Sequence, residues 1–330
     1  MRNLLIIIDD IEFKYFEFNR LVTNFWLVKE FLLRGYRVDI TLKNKLFQRN
    51  QKPYAKVFNT FIEKEDIKKK DEFEIKELNS YDLIFFRPDP PVDIDYINAS
   101  YILSYVDTKK TLIINSPNAI RDKNEKLYIN EFKTLIPENI PENIVASDEK
   151  IIKEFLFEQN EIIIKPTNRC FGSGVFYLHS KDKNINAILQ TATNNFKTAV
   201  MVQKYLPEIE FGDKRLIYMM GKIYPYCVSK VATNDDFKFN EHNKDTLKFA
   251  QLTKTEKEMI EKIKDKFEYD GIYCAGLDVI AGKIIEINIT SPCFFINEIN
   301  EIFKINFEKM IADDIEQYLK TRQEKLLALT

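Results

Sequence analysis

The sequence predicts an α/β protein whose N-terminal lobe is built around a parallel sheet. Residues 4–8 form a continuous apolar run, which is typical of a strand buried on both faces. Apolar residues at helical spacing follow over residues 20–33, Gly35 ends that helix, and residues 37–42 are rich in β-formers. A strand, a helix and a second strand in this order indicate a βαβ unit with parallel strands.

Further elements extend this lobe to about residue 121. Residues 43–80 are polar and mixed in charge, and we expect an irregular segment with some helix. Residues 83–86 are a second continuous apolar run and are predicted to be another buried strand. A helix over residues 97–105 and a strand over residues 111–114 complete the lobe.

Two polar segments follow buried strands of this lobe. Asp9 and Asp10 lie at the carboxyl end of the first strand, where open α/β sheets bind ligands, although capping of the loop is the simpler interpretation. Residues 87–91, Arg-Pro-Asp-Pro-Pro, follow the next buried strand, and the prolines fix an extended backbone. A stiff loop that presents Arg87 and Asp89 suits a zwitterionic substrate, but it would also be unremarkable as a plain turn.

Composition excludes several classes of function. The chain has 330 residues, of which 45% are hydrophobic, so it can bury a large core and form two or three lobes. Lys plus Arg number 49 and Asp plus Glu 51, and this balance gives no global field to attract nucleic acid or an anionic membrane. Apolar runs are too short for a membrane span, and we expect a cytoplasmic protein.

Cysteine and histidine usage points the same way. The four cysteines are far apart, with no CxxC pair, which argues against a zinc site or a disulfide framework and for a reducing compartment. Only two histidines occur, so catalysis by a Ser-His triad or a histidine-rich metal site is not expected.

Two lysines of the middle segment are candidates for binding an anion. Residues 121–128 open a predicted helix that carries Lys126, which periodicity alone places on a solvated face. Lys165 lies in the apolar strand 162–166, where its burial would be costly without an anionic partner. The hairpin of residues 167–176 carries two glycines, and backbone N–H groups of such a loop can bind phosphate oxygens.

A strand over residues 199–206 ends before a proline, and its last backbone groups could bind an adenine edge. Asp213 and Arg215 follow in a predicted turn over residues 212–215, which leads into a hairpin of residues 216–228. Two helices are predicted beyond it, over residues 254–267 and 306–330.

The most informative stretch is a predicted hairpin of residues 276–292. If residues 281–283 form a three-residue loop, Asp278 stands opposite Glu286, and Asn288 shares their face because side chains alternate along a strand. The face toward the core would carry Ile285, Ile287 and Ile289. Two carboxylates and an amide oxygen suit Mg²⁺, which completes its shell with waters and substrate phosphates. The alternative is an ordinary amphipathic hairpin with a solvated polar face.

Together these motifs resemble the bacterial glutathione synthetases of the ATP-grasp superfamily. The resemblance covers almost the whole chain and rests on segments in the family's order: residues 87–91, 98–103, 121–127, 163–166, 203–207, 212–215, 225–227, 276–278 and 286–292. It implies an N-terminal parallel-sheet (pre-ATP-grasp) lobe followed by a two-lobed ATP-grasp fold. We expect domains at residues 1–121 for substrate, 122–202 for the lysines and the glycine-bearing loop, and 203–330 for the metal-binding hairpin.

The resemblance also implies an activity: an ATP-dependent ligase that joins γ-glutamylcysteine to glycine through an acyl phosphate, with Mg²⁺, or Mn²⁺ in its place. For ATP it implies Lys126 and Lys165 at the phosphates, Gln203, Lys204, Tyr205 and Leu206 at the adenine, and Asp213 at the ribose. For the substrates it implies Arg87, Asp89, Lys230, Asn240, Thr290 and Ser291, with Arg215 as the catalytic residue at the acyl phosphate. For the metal it implies Asp278, Glu286 and Asn288. A homo-oligomer, dimer or tetramer, is implied as well.

The chain departs from the family's pattern in its loops. Arg169 and Phe171 stand where glycines are usual, Lys230 and Lys238 stand where arginine is usual, and residues 240–246 lack the family's glycines. Lysine is a poorer bidentate clamp for a carboxylate than arginine. Two other hypotheses therefore stay open: a related ligase with a different acceptor, and an ATP-binding regulator that does not ligate.

Overall fold

The computed structural model describes residues 2–170, 172–231 and 247–328, and these form three sheets with helices around them. The candidate residue Asn240, with Phe171 and Lys238, lies outside the described residues. The elements of the first part are, in chain order, β1 (Asn3–Ile8), α1 (Asp10–Lys14), α2 (Thr23–Leu33), β2 (Arg37–Leu42), β3 (Leu46–Arg49), β4 (Lys52–Glu63), β5 (Asp66–Lys69), β6 (Glu74–Glu77), β7 (Leu83–Phe86), α3 (Ile94–Leu103), β8 (Leu112–Ile114) and α4 (Pro117–Asp122).

The parallel centre of the first sheet confirms the predicted α/β class. Strands β2, β1, β7 and β8 are neighbours in that order, and each pair is parallel. Their side chains are almost all buried on both faces, as continuous apolar runs require. Helix α2 begins at Thr23 rather than at residue 20, and α3 begins at Ile94 because the Asp93 side chain caps it by accepting the Tyr96 N–H at 2.8 Å.

The prediction of an irregular segment over residues 43–80 is wrong. Strands β3 to β6 occupy most of it, and β4 pairs antiparallel with β2, so the sheet is extended at that edge. Along β4, Ala55 and Val57 are buried while Lys56 between them is exposed. The frequent lysines and glutamates hid this alternation because they occupy the solvent-facing positions.

The middle and last parts of the chain carry two antiparallel sheets. The middle part has β9 (Asn143–Ala146), α5 (Glu149–Gln159), β10 (Glu161–Pro166), β11 (Phe176–His179), α6 (Ile185–Ala192) and β12 (Val200–Lys204). The last part has β13 (Asp213–Met219), β14 (Lys222–Ile223), β15 (Tyr226–Lys230), β16 (Leu247–Gln251), α7 (Lys254–Asp270), β17 (Cys274–Ile280), β18 (Lys283–Asn288), α8 (Ile296–Phe303) and α9 (Phe307–Leu327). No helix among the described residues has the length and apolar character needed to cross a bilayer.

Two local predictions for these parts are wrong. Residues 121–128 do not open an α-helix: the Asn124 side chain accepts the backbone N–H groups of Lys126 (3.1 Å) and Leu127 (3.3 Å), as a helix cap does, but only a turn and a 3₁₀-helix over Tyr128–Phe132 follow. Asp213 and Arg215 lie within β13 rather than in a turn, so both side chains are fixed by a sheet ladder.

One hydrophobic core joins the first and last parts of the chain. Ile6 of β1 and Phe31 of α2 are fully buried in the same cluster as Ile311 and Ile315 of α9. At the edge of this contact, Arg34 follows α2 and donates to Glu316 of α9 at 2.7 Å. The first and last of the three sheets that meet at the polar cavity described below are therefore connected by packed side chains.

Replacing Phe31 by alanine tests this shared core. We expect Phe31→Ala to lower the free energy of unfolding by about 3–5 kcal/mol, because a fully buried aromatic ring leaves a cavity. Phe157→Ala is the matched control, since Phe157 also lies in a helix but is 62% exposed, and it should change stability by no more than about 0.5 kcal/mol. Equal effects in denaturant titrations would contradict the core assignment.

Candidate functional site

A cavity of about 820 Å³, here called the cleft, lies where the three sheets meet. Its walls come from the carboxyl ends of β1 and β7, from β10 and β12, and from β13, β15, β17 and β18 with their loops. Every predicted site residue within the described part of the chain lines it: Arg87, Asp89, Lys126, Lys165, Gln203, Lys204, Tyr205, Leu206, Asp213, Arg215, Lys230, Asp278, Glu286, Asn288, Thr290 and Ser291. The structure thus brings these residues together, while their roles stay predictions.

The hairpin of β17 and β18 has the predicted register, but its turn is shorter than predicted and a bulge compensates for this. Asp278 is opposite Glu286, but the loop is a two-residue turn at Ala281 and Gly282, both with positive φ (46° and 77°), as a type I′ turn requires. A bulge at Ile285 restores the register. The prediction that Ile285 faces the core is wrong: as the extra residue of the bulge, it lines the cleft.

Asp278 is the centre of a buried ion cluster. Its two carboxylate oxygens accept from Arg215 Nε at 2.7 Å and Nη2 at 3.1 Å, and Lys230 Nζ donates to it at 3.0 Å. Burial alone would raise the pKa of Asp278, but the Arg215 and Lys230 charges outweigh burial and hold this pKa well below its usual range. Gly276 permits the cluster, because a Cβ there would lie 3.1 Å from Arg215 Cδ.

Lys230 has a second carboxylate partner. Its Nζ lies 2.6 Å from Asp213 Oδ2, so this one ammonium group bridges Asp213 and Asp278. Burial raises the pKa of Asp213, and the charge of Lys230 opposes that rise. In this structure the residue predicted to meet the ribose and the lysine predicted to meet the substrate are therefore paired with each other.

The two candidate phosphate lysines bind mostly neutral acceptors. Lys126 Nζ donates to the carbonyl oxygen of Arg169 at 2.6 Å and lies 3.4 Å from Glu286 Oε1. Lys165 Nζ donates to Gln203 Oε1 at 3.0 Å and to the carbonyl oxygen of Ile285 at 3.3 Å. Burial lowers the pKa of Lys165, and the attraction of Glu286 opposes the lowering. Both ammonium groups can therefore bind an anionic ligand.

Gln203 leaves one buried donor without a partner. Its Oε1 is taken by Lys165, while its Nε2 is buried and has no hydrogen-bond partner among the described residues. An unmade hydrogen bond of this kind costs roughly 1–3 kcal/mol. Since Gln203 lines the cleft, a polar ligand that offers an acceptor here would recover that free energy, which fits a nucleotide.

The glycine-bearing loop between β10 and β11 is a hairpin loop, as predicted. Gly174 has φ +72°, and a Cβ there would lie 3.0 Å from both Arg169 Nη1 and Pro166 Cγ. Asn124 Nδ2 holds the start of the loop by donating to the carbonyl oxygen of Thr167 at 2.8 Å. Glycine is thus required at this turn, although Arg169 occupies a position where the family has glycine.

The oxygen donors of the hairpin fit a magnesium ion that takes its remaining ligands from a substrate and from water. Asp278 and Glu286 supply carboxylates, and Asn288 donates through Nδ2 to Asp278 Oδ2 at 3.2 Å, which leaves its amide oxygen for a metal. The described residues contain no group of three or more His, Cys, Asp or Glu that would hold a metal on its own. Such a site needs additional oxygens, and Mg²⁺ characteristically takes them from phosphates and water.

Sequence reasoning missed two glutamates of the cleft. Glu125 Oε1 accepts the backbone N–H groups of Ile289 (2.8 Å) and Thr290 (2.9 Å) and the Thr290 hydroxyl (2.8 Å), and so fixes the loop after β18. Glu12 lines the opposite end of the cleft. Its only signal in the sequence was its place three residues after Asp9, at the carboxyl end of the first strand.

Comparison with known proteins agrees with the motifs. Residues 3–121 match the model for the prokaryotic glutathione synthetase N-terminal domain, and residues 125–304 match the model for the prokaryotic glutathione synthetase ATP-grasp domain. The glutathione synthetase of Nostoc sp. is 36% identical over 243 residues, 74% of this chain and 73% of the relative. That of Vibrio parahaemolyticus is 32% identical over 301 residues, 90% of this chain and 93% of the relative.

Solved structures show the same fold at lower identity. The ATP-grasp ligase PsnB, complexed with minimal precursor, Mg and ADP, has a TM-score of 0.61 and 12% identity, with 96% of this chain and 98% of that chain covered. The resemblance found from the motifs is thereby confirmed. The chain belongs to the prokaryotic glutathione synthetase family, with an α/β ATP-grasp fold, and is an ATP-dependent carboxylate–amine ligase of glutathione biosynthesis.

Proposed function

We propose that the cleft joins γ-glutamylcysteine to glycine with ATP and Mg²⁺. The observation that carries this proposal is a convergence on one cavity: Lys126 comes from a turn, Lys165 from the middle sheet, and the hairpin carboxylates and the buried guanidinium from the last sheet. Phosphoryl transfer depends on positioning and charge neutralisation more than on a nucleophilic side chain. The scarcity of histidine is therefore no obstacle to this chemistry.

The proposed reaction has two steps. A carboxylate oxygen of the cysteinyl group bonds to the γ-phosphorus of ATP, and the bond from that phosphorus to the bridging oxygen of ADP breaks. The glycine amine then bonds to the carbonyl carbon of the acyl phosphate and loses a proton, while phosphate leaves with the electrons of the C–O bond. Arg215, a buried cation in the cleft, would stabilise the charge that develops on the transferred group.

Nucleotide binding would use the lysines and the end of β12. Lys126 and Lys165 would exchange the carbonyl oxygens that they now contact for phosphate oxygens, and such charge-assisted bonds are stronger. The adenine would lie against residues 203–206, where Gln203 Nε2 lacks a partner. Asp213 would bind the ribose.

Asp278, Glu286 and Asn288 would hold the metal ion. When bound, Mg²⁺ would neutralise phosphate charge and help to orient the γ-phosphoryl group. Mn²⁺ accepts the same oxygen ligands, so exchange between the two ions is proposed as well.

Substrate binding would involve the loops around the phosphates. Arg87 and Asp89 would hold the dipeptide, with Lys230, Thr290 and Ser291; Asn240, outside the described residues, stays a prediction from the family. The domain boundaries at residues 121 and 202, a cytoplasmic location, the lack of a nucleic-acid partner and a homo-oligomeric state stay predictions too.

An ADP-release assay tests the proposed substrates. With ATP, Mg²⁺, γ-glutamylcysteine and glycine we expect turnover within the ordinary range of about 1–10³ s⁻¹. Background release with glycine, but turnover with another amine, would favour a ligase with a different acceptor. ATP binding without ADP release under any acceptor mixture would favour a regulator.

Substituting Glu286 tests the metal site. We expect Glu286→Gln to raise the Mg²⁺ concentration for half-maximal rate by about 10-fold or more, because one charged ligand is lost. Glu258→Gln on the exposed face of α7 is the control and should leave the Mg²⁺ titration unchanged. A normal Mg²⁺ titration in Glu286→Gln would remove Glu286 from the metal site.

Substituting Arg215 tests its catalytic role. Arg215→Lys keeps a cation beside Asp278 but loses the bidentate contact, so we expect kcat to fall about 10²-fold with less than a 3-fold change in affinity for a non-hydrolysable ATP analogue. Stopped-flow or steady-state rates and calorimetric binding provide the two readouts. If affinity falls as much as kcat, Arg215 is a nucleotide contact instead.

A further inference from the structure

Buried charges at one end of the cleft have no charged partner. Arg87 is only 2% exposed, and Glu12, Asp9 and Asp89, which lie near it, are partly buried. Among the described residues, none of these four lies within ion-pair distance of an opposite charge. A guanidinium buried this deeply is rarely left unpaired, and even partial burial of an unpaired carboxylate is costly. This end of the cleft, formed by the N-terminal sheet, is therefore electrostatically incomplete.

A single amide holds the opposite charges apart. Asn24 Nδ2 donates to Glu12 Oε2 at 2.7 Å, and Arg87 Nε donates to Asn24 Oδ1 at 2.5 Å. A second bond, from Arg87 Nη2 to the carbonyl oxygen of Pro292 at 2.8 Å, fixes the guanidinium. All three side chains line the cleft, so a carboxylate and a guanidinium face one cavity at a fixed separation.

Negative charge is in excess at this end. Asp9, Glu12 and Asp89 outnumber the cations Arg87 and Lys43 that act on them, and Asp9 Oδ2 accepts the backbone N–H of Asp89 at 2.6 Å. Burial raises the pKa of Glu12 to about 7 and that of Asp9 to about 6, and it also raises the pKa of Asp89. A cation placed among these groups would reverse the shifts.

An unpartnered hydroxyl marks the same region. Tyr96 is fully buried, and its Oη has no hydrogen-bond partner among the described residues. The charges of Glu125, Asp9 and Asp89 disfavour its ionisation, and Arg87 opposes them. An organic ammonium group suits these carboxylates, because it brings a positive charge together with hydrogen-bond donors.

We propose that Glu12 is a specificity-determining residue: with Asp89 it binds the α-ammonium group of the γ-glutamyl substrate, while Arg87 binds the α-carboxylate on the same carbon. This inference rests on the proposed function and names the part of the dipeptide that this end of the cleft recognises. A zwitterion supplies both missing charges at once. A substrate without the ammonium would leave Glu12 and Asp89 without a charged partner. The cost of such unpaired groups allows a site to reject an analogue strongly.

Two analogues separate the charges of the substrate. Glutaryl-cysteine keeps the α-carboxylate position but lacks the amine, and 4-aminobutanoyl-cysteine keeps the amine but lacks the carboxylate. Calorimetric binding of each, and of γ-glutamylcysteine, is measured in the presence of Mg²⁺ and a non-hydrolysable ATP analogue. We expect the wild-type chain to prefer γ-glutamylcysteine over glutaryl-cysteine by about 100-fold, within the range for a lost buried polar partner.

The variant Glu12→Gln should reduce that preference to a few-fold, by weakening γ-glutamylcysteine and not glutaryl-cysteine. Its preference over 4-aminobutanoyl-cysteine should persist, because Arg87 is unchanged. Glu17→Gln, an exposed carboxylate of the same segment, should bind all three ligands as the wild type does. Thermal unfolding confirms that each variant is folded, and Glu12→Asp, which keeps the charge, should be intermediate.

The outcomes distinguish a failure of the Glu12 assignment from a failure of the proposed function. An undiminished preference for the ammonium in folded Glu12→Gln, with normal binding of γ-glutamylcysteine, overturns the role of Glu12 and leaves the proposed function standing. Failure of the wild-type chain to bind γ-glutamylcysteine overturns the proposed substrate, and the assignment of Glu12 falls with it. Equal weakening of all three ligands in Glu12→Gln reduces Glu12 to a support for Asn24 and also overturns the proposal.

Discussion

The cleft depends on the ion cluster around Asp278, and that cluster depends on strand register. Arg215 of β13 is directly opposite Asp278 of β17, and Asp213 of β13 is opposite Lys230 of β15. A slip of one residue in either pairing would turn a charged side chain to the other face of the sheet. Since an unpaired buried ion costs several kcal/mol, such a slip would be strongly disfavoured. The ion pairs therefore help to fix the strand register, and the register in turn positions the charged side chains.

The two ends of the cleft differ in how their charge is balanced. Around Asp278, each buried carboxylate already has a cation from the same sheet, so this end is organised before any ligand arrives. Around Arg87, opposite charges are separated by Asn24 and balance is left to a ligand. Preorganisation lowers the ordering cost of binding where charge develops during the reaction. An unbalanced end, in contrast, gives selectivity for a ligand that carries the missing charges.

Features encoded locally in the chain were predictable, and features that needed partners from distant segments were not. The buried strands and the Asp278–Glu286 register follow from apolar runs and side-chain alternation, although the bulge at Ile285 could not be seen. The strands of residues 43–80 were hidden because lysines and glutamates cover their exposed faces. In place of the helix predicted near Lys126 there is a turn and a short 3₁₀-helix, although the Asn124 side chain accepts the Lys126 N–H as a helix cap does. Glu12 gave almost no signal, since its significance comes from Asn24 and Arg87, which are far apart in the sequence.

The core shared by α2 and α9 bears on how the protein is made. Phe31 is translated about 280 residues before Ile311, yet the two side chains are buried in one cluster. While the nascent chain is still on the ribosome, one face of the first sheet and its helix lacks its covering layer. That apolar surface stays uncovered until α9 has been synthesised, so the N-terminal lobe cannot complete its core from its own residues.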